Sequence, residues 1–551
     1  MKKILPFLMV AAAAAGQAYA QTGSTAWKLP VIQQPVFKKD TIKITAFGAK
    51  ADGVTLNTKS INDAIVASSK KGGGVVVVPA GLWLTGPIVL KSNVNLHLQK
   101  NAVLQFSEDF NQYPLVKGNW EGLPQMRNQS PLSAENQENI AITGFGIIDG
   151  AGDAWRQVKK DKLTESQWKR LVASGGIVSA DNRTWYPSEK NFKGSQLKNP
   201  GAISADKAPE FYDSIKDFLR PNMVVLANCK KILLEGVTFQ NSPAWCIHPL
   251  LCENLTVRNA YVKNPWYAQN GDGIDVESCK KVLIENSTFD VGDDGICIKS
   301  GRDEEGRKRN VPTEDVIVRN CVVYHAHGGF VIGSEMSGGV KNMYVSDCSF
   351  IGTDIGLRFK TTRGRGGVVE KVYINNINMK DIVGEAILFD MYYMAKDPVP
   401  LTGEKRELPK VELLPVTEET PQFRDFVVTN VVCTGAERGV FVRGLPEMHV
   451  KNIRLENMVL QAKKGIRCEE ASGIQFKNIQ LVTKELNPVV SVLNGDGIVF
   501  DKLIYNNNAE LLLQVQGDRS KDIKVLNTDV KKAKQSVVTE YGATDAAVSV
   551  K

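Results

Sequence analysis

The chain has 551 residues, of which 43% are hydrophobic and 23% are charged, so it can bury a large core and its composition does not indicate disorder. The formal net charge of +8 is a mild basic excess, which favours anionic partners. No nucleic-acid recognition module is visible in the sequence, so we expect an acidic polysaccharide rather than nucleic acid as the partner.

The first twenty residues predict an export signal. Lys2 and Lys3 precede an apolar stretch from Ile4 to Ala15, and Ala18-Tyr19-Ala20 has the small-x-small pattern of a cleavage site. The apolar stretch is too short to span a membrane. We therefore expect no membrane insertion and an exported protein, periplasmic or secreted after cleavage near Ala20, with a single domain over residues 21–551.

Residues 40–220 contain a predicted cap and a long insertion. A helix is predicted from about Asn57 to Ser69, before a strand at Val75–Val78. From about Asp109 to Arg220 the strand pattern lapses, apart from the strand-like piece Ile140–Gly150. We therefore predict an insertion over about 109–220 that folds over the side or the end of the main structure.

A short pattern, hydrophobic-x-hydrophobic-x-Asn, recurs from about residue 230 onward. Its clear copies are Leu255–Asn259, Val282–Asn286, Val316–Asn320, Val372–Asn376, Phe426–Asn430, Ile453–Asn457 and Ile474–Asn478. Most copies start 21 to 34 residues apart, which is too short for a βαβ unit at each step. The alternation predicts a strand with one face inward, and we interpret the Asn as a turn residue rather than a ligand contact.

Stacked coils of this length predict an all-β fold, a right-handed parallel β-helix (solenoid), with its main coils over about 220–530. The helix near residues 57–69 would cap the N-terminal end, where the core is otherwise exposed. Cys229, Cys252 and Cys279 open successive coils at the same register. Their placement predicts small buried residues stacked along the core, and disulfides between neighbouring coils are the alternative.

Four short polar motifs follow one another between residues 270 and 360. They are Asn270-Gly271-Asp272, Gly292-Asp293-Asp294, His327-Gly328 and Arg358-Phe359-Lys360. The step from Asp272 to Asp293 is 21 residues, close to one coil, which predicts equivalent places on neighbouring coils roughly 5 Å apart. Like-charge repulsion among Asp272, Asp293 and Asp294 would keep at least one of them protonated near neutral pH.

One acid and one base are what glycoside hydrolysis requires. Arg358 and Lys360 are two residues apart, so we expect both side chains to leave one strand face as exposed cations. Two cations beside three acids predict a bound anion, such as the carboxylate of a uronic acid. Two alternatives to a catalytic site remain. The Asp-Gly dipeptides could be ordinary turns, and the charged residues could form a purely structural network of ion pairs.

The four motifs in this order resemble the signature of glycoside hydrolase family 28, the polygalacturonase family, which reads Asn-Thr-Asp, Gly-Asp-Asp, Gly-His-Gly and Arg-Ile-Lys. The resemblance spans about Arg220 to Ile504, and Ile42–Asp52 is similar to the N-terminal part of related pectin-degrading β-helices. Three positions depart from the signature, and none of them removes an acid, the imidazole or a cation: Gly271 for Thr, Ala326 for Gly and Phe359 for Ile.

The resemblance implies a role for each motif residue. Asp293 would be the general acid, while Asp272 and Asp294 would hold and activate the attacking water, with inversion of the anomeric centre. His327 would support the protonation state of the acid. The implied substrate-binding residues are Asn270, Arg358, Lys360 and Tyr393, with the adjacent Tyr392 as an alternative to Tyr393. The family needs no metal and no organic cofactor.

The substrate implied by the resemblance is α-1,4-linked galacturonic acid in pectin. Rhamnogalacturonan or another pectic oligosaccharide is the alternative within the family. The insertion favours an exo-acting enzyme, because an added segment can close one end of a groove, and we expect a monomer. From other classes, a calcium-dependent pectate lyase and a non-catalytic polysaccharide-binding β-helix remain open.

Overall fold

The computed structural model describes residues 28–394 and 413–551, so the predicted signal peptide lies outside the described residues. Nearly all described strands join one large parallel sheet that winds into coils, which confirms the predicted all-β parallel β-helix. Within the described residues, no helix is both long and apolar enough to cross a membrane.

Forty strands and five α-helices make up the described chain. The strands of the N-terminal part are β1 (Thr41–Lys43), β2 (Gly74–Val78), β3 (Gly81–Thr85), β4 (Ile88–Val89), β5 (Val94–Leu98), β6 (Ala102–Phe106), β7 (Leu115–Trp120), β8 (Leu123–Asn128), β9 (Leu132–Glu135), β10 (Glu138–Gly144), β11 (Ile147–Asp149), β12 (Val158–Lys159), β13 (Ile177–Val178) and β14 (Thr184–Tyr186). The central strands are β15 (Val224–Ala227), β16 (Lys230–Glu235), β17 (Thr238–Gln240), β18 (Ile247–Leu250), β19 (Glu253–Arg258), β20 (Tyr261–Lys263), β21 (Ile274–Glu277), β22 (Lys280–Glu285), β23 (Thr288–Asp290), β24 (Ile296–Lys299), β25 (Thr313–Arg319), β26 (Val322–Tyr324), β27 (Gly328–Gly333), β28 (Val340–Ile351), β29 (Ile355–Lys360), β30 (Val368–Lys380) and β31 (Glu385–Asp390).

The C-terminal strands are β32 (Gln422–Arg443), β33 (Val450–Glu469), β34 (Ala471–Thr483), β35 (Val490–Leu493), β36 (Val499–Ile504), β37 (Ala509–Gln516), β38 (Ile523–Leu526), β39 (Ala533–Glu540) and β40 (Val548–Val550). The helices are α1 (Thr58–Lys70), α2 (Glu165–Ala173), α3 (Glu189–Ser195), α4 (Pro209–Asp213) and α5 (Asp303–Arg309).

Each central coil contributes one strand to each of three stacks. The first stack includes β10, β16, β19, β22 and β25, the second includes β11, β17, β20, β23 and β26, and the third includes β9, β15, β18, β21, β24, β27, β29 and β31. From β28 onward the strands run around a corner, so that β32 pairs with both β30 and β31. The third stack is the one that holds the predicted site.

The core and the turns follow the sequence pattern. Alternate residues of the strands in the large sheet are buried in one continuous apolar core along the axis. All nine cysteines are free and buried, which confirms their interpretation as core residues over the disulfide alternative. The recurrent Asn residues adopt the left-handed conformation expected of turns, and Asn478 donates its side-chain amide to Asn457 of the preceding coil at 2.9 Å.

Helix α1 covers the first coil through Ile61 and Ile65, which are fully buried. The segment predicted as one insertion forms two, separated by the coil β9–β10–β11. The first is the antiparallel hairpin β7–β8, and the second runs from β12 to α4 with a small three-stranded sheet of its own. Glu121 at the tip of the hairpin pairs with Arg302 Nη1 at 3.1 Å, so the hairpin reaches across to the coil that follows β24.

Candidate active site

The motif residues gather on the third stack, in the loops that precede its strands and on β29. Ile274 of β21 pairs with Ile296 of β24, and this register makes Asp294, rather than Asp293, the equivalent of Asp272. The expected equivalence of Asp272 and Asp293 is therefore wrong by one residue, because the coil between the two strands is 22 residues long. In the same ladder, Arg358 of β29 stands beside Val331 of β27.

The three carboxyl groups lie together. One oxygen from each of Asp272, Asp293 and Asp294 is within 4.8 Å of the others, a spacing at which their titrations interact. Asp272 is 3% exposed, and its Oδ1 has no hydrogen-bond partner in the described part of the chain. Burial, followed by the negative charges of Asp275 and Asp293, raises the pKa of Asp272 well above its ordinary value.

Asp294 has the opposite environment. Lys360 Nζ donates to its Oδ2 at 2.7 Å, and Arg358 Nη1 donates to its Oδ1 at 3.3 Å. Burial alone would raise the pKa of Asp294, but Lys360 and Arg358 outweigh burial and hold this pKa below its ordinary value. Asp294 is therefore a carboxylate at neutral pH.

Asp293 is half-buried and is held through one oxygen. Its Oδ1 accepts a hydrogen bond from the backbone N–H of Asp294 at 3.0 Å and lies 3.1 Å from Nδ1 of His327. The hydrogen bond to Asp293 raises the pKa of His327, while burial opposes the rise. The arrangement leaves the other carboxyl oxygen of Asp293 available to a ligand.

Tyr393 and Asn270 have different neighbours in the site. Lys360 Nζ is 4.9 Å from the centre of the Tyr393 ring, and the Arg358 guanidinium is 5.6 Å from it. The neighbouring Tyr392 is buried and packs under other arginines, so of the two tyrosines it is Tyr393 that lies beside the cations. Asn270 accepts a hydrogen bond from Arg220 Nη2 at 2.9 Å.

Sequence reasoning missed a layer of buried charges beneath the acids. Asp275 is fully buried on β21, and Lys299 of β24 lies 3.6 Å from it and 2.8 Å from Glu335. Next to them, Glu277 pairs with His248 at 2.9 Å. The available signal was the charged residues in two short strands that are otherwise apolar, Asp275 and Glu277 in Ile274–Glu277 and Lys299 in Ile296–Lys299.

The acidic cluster also has the donor set of a cation site, because three carboxylates can supply oxygen ligands to a hard cation. Asp294 already has two protein cations as partners, which reduces the negative charge available to a metal. The arrangement suits proton transfer between a carboxylate and a carboxylic acid.

Comparison with known proteins agrees with this geometry. The family model described as glycosyl hydrolases family 28 matches residues 213–435, and a model described as rhamnogalacturonase A/epimerase, pectate lyase-like, matches residues 41–156. A structure of an exopolygalacturonase from Thermotoga maritima is 32% identical, with a TM-score of 0.65, and the match covers 82% of this chain and 93% of that chain.

Two curated relatives are similar over most of their length. A probable polygalacturonase of Vitis vinifera is 28% identical over 78% of this chain and 77% of its own. An exo-poly-alpha-D-galacturonosidase of Dickeya chrysanthemi is 27% identical over 80% of this chain and 70% of its own. The chain belongs to glycosyl hydrolase family 28. It is an enzyme that hydrolyses O-glycosidic bonds.

Proposed function

We propose that the enzyme is a polygalacturonase, which cleaves α-1,4-linked galacturonic acid residues of pectin. The observation that carries this proposal is the pair of cations, Arg358 and Lys360, directly beside the acids. Each keeps N–H donors beyond those that bind Asp294, so a substrate carboxylate can share them. The names of the relatives, a polygalacturonase and two exo-acting enzymes on galacturonan, support the same substrate.

In the proposed mechanism, Asp293 protonates the glycosidic oxygen while Asp294 and Asp272 hold and activate the attacking water. His327, hydrogen-bonded to Asp293, acts as a positioning residue for the acid. Because its pKa is low, Asp294 is ionised at neutral pH and can accept a proton from the water, whereas the raised pKa of Asp272 lets it hold the water as a protonated hydrogen-bond donor. Asn270 and Tyr393 are proposed to contact the sugars on either side of the scissile bond.

We propose that the reaction inverts the anomeric centre, and this rests on the family resemblance. The oxygens of the acids lie within 4.8 Å of one another, closer than the carboxyl separation of about 6.5–9.5 Å typical of inverting enzymes. Proton NMR of the first product settles the stereochemistry. Inversion predicts the β-anomer of the new reducing end, and initial formation of the α-anomer would contradict it.

Exo action is proposed from the position of the insertions. The second insertion, through Gln157 just before β12, contacts Gln269 in the loop before Asp272, and the hairpin tip contacts Arg302 after β24. The insertions therefore stand over the coils that carry Asp272 and Asp294, whereas Arg358 and Lys360 lie on a later coil. A groove closed at one end admits a chain end only. We propose release of galacturonate or a short oligomer from the non-reducing end.

We further propose that the protein is exported, because Met1–Ala20 resembles a signal sequence. The exported protein is proposed to be a single domain of residues 21–551 that acts as a monomer.

Hydrolysis of rhamnogalacturonan is the second candidate function, and the rhamnogalacturonase-like match over residues 41–156 favours it.

A reducing-sugar assay on polygalacturonic acid and on rhamnogalacturonan, with and without a chelator, separates these candidates. The proposal predicts rapid release of reducing ends from polygalacturonic acid, unaffected by the chelator. Preference for rhamnogalacturonan would favour the second candidate. Chelator-sensitive formation of an ultraviolet-absorbing product would indicate a lyase.

A further inference from the structure

A buried lysine lies beneath the acids, and the proposed mechanism gives it no role. Lys299 of β24 is 4% exposed, and its strand lies between β21 and β27 in the third stack. Its Nζ is 2.8 Å from Oε2 of Glu335, 3.6 Å from Oδ1 of Asp275 and 4.9 Å from the centre of the Trp245 ring. A buried ammonium requires anionic partners, so these contacts hold Lys299 in place.

Glu335 anchors Lys299 as a carboxylate. Burial raises the pKa of Glu335, but the positive charges of Lys299 and Arg365 outweigh burial and lower this pKa to about 2. The other oxygen, Oε1, accepts from Ser334 Oγ at 3.1 Å and lies 3.7 Å from Arg365. Glu335 is therefore ionised throughout the pH range in which the catalytic acids change protonation.

Two acids above this pair are buried without full hydrogen bonding. Asp275 is fully buried, and neither of its carboxyl oxygens has a hydrogen-bond partner among the described residues. Oδ1 of Asp272 is in the same position. Burial raises the pKa of Asp275, and Lys299 opposes this rise more than any other group. Lys299 also opposes the rise at Asp272.

Lys299 and the acids face one another from three neighbouring coils. The titratable groups that face Lys299 are Asp272, Asp275, Asp294, Cys297 and Glu335. The groups that face Asp272 are Asp275, Asp293, Asp294, Lys299 and Arg220. Arg220 donates to Pro243, Gln269 and Asn270, and the cations of β29 are paired with Asp294. Lys299 is therefore the cation that Asp272 and Asp275 share.

We propose that Lys299 is a positioning residue for hydrolysis: anchored by Glu335, its ammonium places a fixed positive charge beneath Asp272 and Asp275 and sets the pH range in which the acidic cluster holds the protons that catalysis needs. Lys299 acts through the acids, because it is buried below them. The inference rests on the proposed roles of the acids, and it assigns to Lys299 and Glu335 the control of their protonation.

The pH dependence of kcat/KM tests this role. Wild type, Lys299→Met and Glu335→Gln are compared on polygalacturonic acid, or on rhamnogalacturonan if wild type prefers that polymer. Loss of the cation favours the protonated acids, so the profile of Lys299→Met should move to higher pH by roughly 1 to 3 units. Glu335→Gln removes a negative charge, so its profile should move to lower pH. Because neither side chain is proposed to contact the substrate, kcat should change more than KM.

Two controls separate this effect from surface charge and from lost stability. Lys380→Met removes an exposed positive charge, and Phe476→Leu weakens the buried core of the C-terminal coils; both should keep the wild-type pH profile. If Lys299→Met does not fold, Glu335→Gln carries the test, because the amide has the shape of the carboxyl group and its oxygen can still accept from Lys299. Profiles that do not move, or that move in the same direction in both variants, would overturn the proposal.

The pH dependence of Tm gives a readout that needs no turnover. Without Lys299, the folded pKa values of Asp272 and Asp275 rise further above their unfolded values, so the folded protein loses more stability than wild type as pH rises through this range. The Tm deficit of Lys299→Met relative to wild type should therefore be larger at pH 8 than at pH 5. Equal deficits would contradict the role of Lys299, whereas the expected deficits in a protein inactive on both polymers would refute the proposed function alone.

Discussion

Asp272 and Asp294 occupy equivalent positions on neighbouring coils, yet their surroundings shift their pKa values in opposite directions. Burial and the nearby Asp275 raise the pKa of Asp272, whereas Lys360 and Arg358 outweigh burial at Asp294 and lower its pKa. The separated pKa values leave Asp294 ionised and Asp272 protonated, so the two carboxyl groups proposed to hold the water can accept from it and donate to it, respectively. The sequence supplied the acids, but only the packing around each one separates their roles.

The raised pKa of Asp272 predicts that Asp272→Asn changes the thermal stability of the protein by an amount that depends on pH. Because the folded pKa exceeds the unfolded value near 3.9, the proton on Asp272 stabilises the fold below about pH 4, and this contribution is lost as pH rises through the folded pKa. The variant should therefore gain about 1–2 °C in Tm relative to wild type at pH 8 but not at pH 4, while losing activity.

Scanning calorimetry across this pH range measures the effect. Asp381→Asn, at an exposed carboxylate, serves as the matched control and should leave the pH profile unchanged. A Tm difference between Asp272→Asn and wild type that does not vary with pH would show that Asp272 titrates normally.

Asp293→Asn is expected to abolish most turnover while leaving the fold and substrate affinity nearly unchanged. The amide has the same shape and its oxygen can still accept from the backbone of Asp294, but it cannot donate an acidic proton. General acid catalysis accounts for roughly 100- to 10,000-fold in rate. Steady-state kinetics with a binding titration measures both quantities, and turnover close to wild type would remove Asp293 from the acid role.

Lys360 differs from the exposed cation that strand alternation predicts. It is 5% exposed and paired with Asp294 at 2.7 Å, because the outer face of β29 is covered at this position. The expectation that Lys360 is exposed was wrong. Because Lys360 is buried and paired, its removal should affect the stability of the fold as well as the activity. Lys360→Met should lower both kcat/KM and the free energy of unfolding, the latter by about 3–5 kcal/mol, because Asp294 loses a buried partner.

Denaturant unfolding and kinetics on polygalacturonic acid are measured together for this variant. Lys380→Met, at a lysine that is 67% exposed, is the control and should change neither quantity. Unchanged stability in Lys360→Met would mean that the ion pair with Asp294 contributes nothing to the fold.

At the scale of elements, strands with one face inward could be predicted from the sequence, and buried charged faces could not. The copies from Leu255 to Asn478 alternate, and the structure places them in the first stack. In the third stack, β21 and β24 are buried on both faces, and their outward faces carry the charged residues Asp275, Glu277 and Lys299. Alternation reports which side faces the core, and it carries no information about what covers the other side.

The hairpin β7–β8 gives the prediction at this scale. Replacing its residues 117–126 by a short Gly-rich turn should open the N-terminal end of the groove, since Glu121 then no longer reaches Arg302. The variant is expected to cut inside polygalacturonic acid chains, with a faster fall of viscosity per reducing end released and a ladder of oligomers.

Shortening the turn between β13 and β14, residues 179–183, is the matched control, because this turn belongs to the other insertion and does not include Glu121, which pairs with Arg302. Viscosity loss in the β7–β8 variant that equals wild type at the same extent of cleavage would show that the hairpin does not close the groove.

At the scale of the whole molecule, the solenoid converts sequence spacing into spatial order. Successive coils place Asn270, the three acids, His327 and the cations along one face in chain order. This order follows from the repeat length, which is why the site could be predicted from the sequence. The fold of the two insertions could not, because they lack a repeat and depend on contacts such as that between Glu121 and Arg302.

The central claim is removal of sugars from the non-reducing end of galacturonan, and a reducing-end-labelled galacturonate hexamer tests it most directly. Chromatography of the first products from the wild-type enzyme should show unlabelled galacturonate or a short unlabelled oligomer, with the label retained on the correspondingly shortened chain. Label on the smallest product, or a labelled ladder of all lengths from the earliest time, would contradict the account.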